Sequence, residues 1–177
     1  MEKDDSHKLD YARLIENFRA CDTKCIGVLN KTQYKRLARE MKFEKTDDFI
    51  TITFNALYDE IRGGVPFEMV KLIYEAVFVS SERQLLLFLI LFRGIDDDHD
   101  GRINEEQFRR ICHIQNPDLN EQKMKDLFES CKPDENGTVQ YSKVSKKVFK
   151  VKMVMKSDPN TSKLYRYSPY GQCCLLI

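Results

Sequence analysis

The sequence predicts an all-helical chain in which four helix-loop-helix units pair into two lobes, joined by short two-stranded loop pairings. Apolar residues recur at helical spacing over most of the 177 residues. Four twelve-residue frames each carry glycine at position six and an aliphatic residue at position eight. Those frames start at residues 22, 58, 96 and 132, a spacing of 36, 38 and 36 positions. The repeat divides the chain into a first lobe over residues 1–79, a second over 80–156, and a tail over 157–177. Position-eight residues Leu29 and Val65 are expected to face one another, as are Ile103 and Val139.

Leu9, Leu14, Ile15 and Phe18 predict a first amphipathic helix over about residues 8–20. The frame from Asp22 to Gln33 follows, then a helix carrying Tyr34, Leu37, Ala38 and Met41. Asp47 to Leu57 is the third helix and Tyr58 to Met69 the second frame. Pro66 can open the fourth helix, where its missing N–H is no loss, and Met69, Val70, Ile73, Ala76 and Val77 give that helix a broad apolar side. Ser80-Ser81 marks the boundary between halves, with one serine capping the next helix. That helix contains the longest apolar run, Leu85 to Phe92, whose eight residues are too few to cross a bilayer. It is either a deeply buried core helix or one wall of a groove for a partner helix. Phe108 and Ile111 mark the helix after the third frame, Asn116-Pro117 ends it, and Asn120 precedes a helix burying Met124, Leu127 and Phe128. Val144, Val148, Val151 and Met155 then give one apolar side to a basic helix after the fourth frame.

Asp96 to Gln107 is the frame with chemistry in it. Asp96, Asp98 and Asp100 hold positions 1, 3 and 5, where a hard cation needs carboxylate oxygens, and Gly101 permits the sharp turn at position 6. The Arg102 carbonyl adds an oxygen, and the Asn104 side chain another, directly or through water. Gln107 stands at position 12, where a carboxylate would give two oxygens and a charge; an amide gives one oxygen and none. Affinity is therefore expected to be low: the loop holds Ca²⁺ weakly, prefers Mg²⁺, or binds nothing and keeps its shape through internal hydrogen bonds. Neighbouring Glu105 and Glu106 point elsewhere on the following helix. Lys24, Ile26 and Gln33 empty the first frame of ligands, as do Tyr58, Arg62 and Met69 in the second and Lys132 and Lys143 in the fourth. At most one site is expected.

The four frames resemble those of the EF-hand superfamily, in its calmodulin-like and neuronal-calcium-sensor-like branches, over about residues 8–155. The resemblance implies two lobes of paired units with apolar grooves that recognise a helical segment of a protein partner. Its calcium ligands carry over to Asp96, Asp98, Asp100, Arg102 through its carbonyl, and Asn104, and the pattern departs at Gln107.

Charge is balanced, with 29 Lys and Arg against 28 Asp and Glu, so nothing points to nucleic acid. The six cysteines have neither a secretory leader before them nor the paired close spacing of a zinc module, which predicts reduced thiols. His7, His99 and His113 have no nucleophile arrangement beside them, which argues against an enzyme. Cys174-Leu175-Leu176-Ile177 looks like a prenylation box, with Cys173 available for acylation; the competing reading is an ordinary apolar terminus. From Lys143 onward eight basic residues face one acid, a balance of plus seven, which suits an anionic membrane surface. The expected function is a cytoplasmic adaptor or weak calcium sensor anchored at a membrane face; the alternative is a soluble, calcium-independent structural subunit.

Overall fold

The computed structural model describes residues 9–78, 84–151, 153, 158–161, 163 and 164. Asp10, Asn30, Thr46, Asn104 and Asn120 each cap a helix by accepting a backbone N–H three residues on. Among the described residues these and three further helices run as α1 (Tyr11–Cys21), α2 (Lys31–Glu40), α3 (Asp47–Leu57), α4 (Phe67–Phe78), α5 (Gln84–Ile95), α6 (Glu105–Gln115), α7 (Glu121–Ser130) and α8 (Tyr141–Lys147). Short strands β1 (Val28–Leu29), β2 (Val65–Pro66), β3 (Arg102–Asn104) and β4 (Thr138–Gln140) lie in the four loops. β1 pairs antiparallel with β2 and β3 with β4, setting Leu29 opposite Val65 and Ile103 opposite Val139. The fold is all-α and EF-hand-like, with the position-eight pairings the repeat predicts. The Ser80-Ser81 boundary, Met155, Cys173 and Cys174 lie outside the described residues.

Three helices depart from expectation: Pro66 lies in β2, paired with Val28, and α4 starts only at Phe67. α1 starts at Tyr11 because Asp10 accepts the Arg13 N–H, and its buried stripe is Leu14, Phe18 and Cys21, leaving Ile15 37 % exposed. α8 stops at Lys147 instead of continuing to Met155: beyond it Lys150 takes a left-handed backbone (φ 59°) and Val151 N–H donates to Ser145 O. Val144 is nevertheless fully buried, and Val148 is packed against the core.

One continuous apolar core runs through both halves. Each residue from Leu86 to Phe92 is at most 2 % exposed, so α5 is buried around its whole circumference and forms the centre of the molecule. Its most extensive partner is α3, from the other half. Gly94 makes that approach possible, since a Cβ there would sit 1.9 Å from the Ile52 carbonyl oxygen. Arg110 of α6 and Asp48 of α3 form an ion pair across the same seam at 3.1 Å. The four cysteines among the described residues, Cys21, Cys25, Cys112 and Cys131, are unpaired.

Candidate metal centre

The third loop begins where α5 ends. Asp96 N–H still donates to Phe92 O, then His99 (φ 57°) and Gly101 (φ 80°) turn the chain through left-handed conformations into β3. Gly101 suits that turn because its positive φ strains any side chain. The turn gathers Asp96, Asp98 and Asp100 so that one carboxylate oxygen from each lies within 4.8 Å of the others. Beside them is a hollow of about 170 Å³, with Asp98, Asp100, Asn104 and Gln107 in its wall.

Asp96 differs from the other two in being 1 % exposed. Its Oδ2 accepts the Gly101 N–H at 2.9 Å and the Asn160 side-chain amide at 2.7 Å. Its Oδ1 is buried without a hydrogen-bond partner. Burial pushes the Asp96 carboxyl above the ordinary carboxylate range; the hydrogen bonds from Asn160 and Gly101 oppose this rise, and Asp98 and Asp100 add to it. A buried carboxylate with an unmatched oxygen beside two further carboxylates fits a bound cation, which supplies the missing partner and offsets the mutual repulsion.

The predicted amide ligands are already engaged with one another. Asn104 Oδ1 accepts the Gln107 N–H, and Gln107 Oε1 accepts the Asn104 N–H, each at 3.0 Å, forming a capping box at the start of α6. Gln107 Nε2 reaches back to donate to Ile95 O at 2.7 Å. The position-12 amide therefore ties the end of the loop to its beginning. The Arg102 side chain turns away to the fourth loop, donating to Thr138 Oγ1 at 2.7 Å and pairing with Asp134 at 2.7 Å.

The other loops close on themselves. In the first, Asp22 accepts Ile26 N–H at 3.1 Å through Oδ1 and Gly27 N–H at 2.7 Å through Oδ2, which occupies both oxygens. In the second, Asp59 at position 2 accepts the N–H groups of Ile61 and Arg62, and Tyr58 at position 1 supplies no carboxylate. In the fourth, a left-handed Lys132 (φ 57°) ends the turn after α7, and Asp134 accepts the N–H groups of Asn136 and Thr138.

Sequence reasoning missed two contributors. Neither Asn160 nor Arg93 stands in one of the four frames. Neither carries a local signal, because each acts across more than sixty residues: Asn160 on Asp96, and Arg93 on Pro159.

No protein-family model matches the chain. It is similar to troponin C of Todarodes pacificus, with 24 % identity over 128 residues, which cover 72 % of this chain and 86 % of that protein. This likeness, spread over most of both chains, supports the EF-hand resemblance carried by the four frames.

Proposed function

We propose that the chain is a non-catalytic, EF-hand-like regulatory adaptor with one weak divalent-cation site, for Ca²⁺ or Mg²⁺, in Asp96 to Gln107. The observation that carries this reading is the buried, unpartnered Oδ1 of Asp96 beside Asp98 and Asp100. Asp96, Asp98, Asp100, the Arg102 carbonyl and Asn104 would hold the ion, which supplies positive charge to a cluster of acids and no reaction chemistry. Engaging Gln107 would require giving up its hydrogen bonds to Asn104 and Ile95, a further reason for low affinity. The similarity to a troponin C supports a calcium-binding regulatory role. The same proposal includes recognition of a helical segment of a protein partner through an apolar groove, and tethering to an anionic cytoplasmic membrane face. In that tethering Cys174 is prenylated, Cys173 offers a second acylation point, and the tail lysines add electrostatic attraction. Among the described residues no helix is long and apolar enough to cross a membrane.

Calorimetry tests the site: one weak Ca²⁺ or Mg²⁺ event is expected, abolished by Asp96→Asn. Intact mass of protein from its native cells tests the tether, with a prenyl increment at Cys174 expected. One observation favours a second reading, a calcium-independent structural subunit: Gln107 ties the ends of the third loop together through its own hydrogen bond to Ile95 O. Absence of any cation binding would overturn the site reading and favour that alternative.

A further inference from the structure

The third loop is held from behind by a segment far downstream. Both Nε and Nη2 of Arg93, in the last turn of α5, donate to Pro159 O at 3.0 and 2.8 Å. Asn160 N–H closes a tight turn on Asp158 Oδ1 at 2.9 Å, and Leu164 is 3 % exposed within the shared core. These contacts bring the Asn160 amide to Asp96 Oδ2, where it donates at 2.7 Å beside the Gly101 N–H. Both hydrogen bonds fall on one oxygen. Oδ1 is left uncommitted, as a ligating atom must be. The Asn160 orientation follows from Asp96: its Nδ2 is the group that can donate to a carboxylate, while its own Oδ1 accepts nothing.

We propose that Asn160 is a positioning residue for the cation loop, and that Asp158, Pro159, Asn160 and Leu164 form a clasp whose docking and cation binding reinforce one another. The inference rests on the single-site reading above. A donor on the outer oxygen of a ligating carboxylate fixes its rotamer and favours its ionised form, and removing such a partner costs about 10- to 100-fold in metal affinity. Coupling of this kind is reciprocal: whatever the docked clasp adds to cation affinity, the cation adds to docking. The clasp is the first part of the tail, directly after the fourth unit and ahead of Cys173 and Cys174 in the chain.

The test uses the full chain, with Ca²⁺ as the probe. Calorimetry on the parent and on Asn160→Ala should show affinity about tenfold lower in the variant. Hydrogen exchange on the parent should slow at residues 158–164 when Ca²⁺ is added, and this slowing should be absent in Asn160→Ala. Leu164→Ala, which loosens the clasp without touching Asp96, should lower affinity by a smaller factor. Unchanged or higher affinity in Asn160→Ala, or Ca²⁺ that leaves exchange at 158–164 unchanged or faster, overturns the clasp alone. No Ca²⁺ binding by the parent overturns the site reading and the clasp together.

Discussion

Replacing Gly94 by alanine tests the close packing that unites the two halves. The new Cβ would lie 1.9 Å from Ile52 O, 2.8 Å from Ile52 C and 3.0 Å from Ala56 Cβ. A relaxed carbon-to-oxygen contact is roughly 3.3 Å or longer, so α3 and α5 must part by roughly 1.4 Å. The first obstacles are main-chain atoms of a buried helix, which no rotamer change can remove. Overpacking costs about 1–3 kcal/mol and occasionally more; a rigid obstacle places this case at or above the top of that range. Alanine recovers about 1 kcal/mol through its better helix propensity. The net expectation is a loss of about 2 kcal/mol, which lowers the melting temperature by about 4–8 °C for a chain of this size. Chemical and thermal unfolding without added cation, monitored by circular dichroism, measure it. A Gly94→Ala variant as stable as the parent would refute the close α3–α5 seam.

Gln107→Glu should raise calcium affinity, yet lower cation-free stability by about 1–3 kcal/mol, because a carboxylate oxygen replaces the donor to Ile95 O; calorimetry and denaturant unfolding read the two effects. Thr53→Val should cost about 1–3 kcal/mol in denaturant unfolding, since it strands the buried Tyr34 hydroxyl, which donates to Thr53 Oγ1 at 2.9 Å. Asp134 is held below the ordinary carboxylate range, chiefly by the Thr138 N–H, with Thr138 Oγ1, Arg102 and the Asn136 N–H assisting. Its folded pKa is depressed, so its stabilisation is complete above the unfolded value of about 3.9 and is lost as pH falls through the folded value. Asp134→Asn should therefore flatten part of the acid limb of the stability curve below about pH 4, measured by unfolding at a series of pH values.

What was legible in the sequence is what depends on local chemistry. Glycine at position six and an aliphatic at position eight report a backbone turn and a buried strand residue, and both landed in register: Gly27, Gly63, Gly101 and Gly137 all have positive φ, and the position-eight residues pair as expected. Asp96, Asp98 and Asp100 converge for the same reason, since twelve residues fix their mutual placement. Less local features were not readable. The apolar run of α5 fitted a core helix and a groove wall equally well, and only its contact with α3 decides for the core. The hydrophobic spacing continued through Val151 and Met155, but the helix itself ends at Lys147.

The first and third loops show what separates a loop closed on its own aspartate from one whose aspartate keeps an unpartnered oxygen. They share a position-1 aspartate, a left-handed residue at position 4 (Cys25 and His99), glycine at position 6 and an Asn-Gln capping box at positions 9 and 12. Glutamine at position 12 is therefore a device for starting α2 and α6 in both loops, and it does not distinguish them. Besides the side chains at positions 3 and 5, the two differ in where the position-5 N–H goes. In the first loop Ile26 N–H donates to Asp22 Oδ1, and with Gly27 N–H on Oδ2 the carboxylate is fully occupied. In the third loop the equivalent N–H, that of Asp100, donates instead to Asp98 Oδ1 at 3.3 Å. Position 3 of the first loop is Lys24, which has no acceptor to divert that N–H. Asp98 thus has two effects: it contributes a carboxylate to the cluster, and it frees Asp96 Oδ1 from the backbone. Position 3 thus sets how the buried aspartate is used: with Lys24 there both Asp22 oxygens go to the backbone, and with Asp98 there Asp96 Oδ1 takes no backbone hydrogen bond.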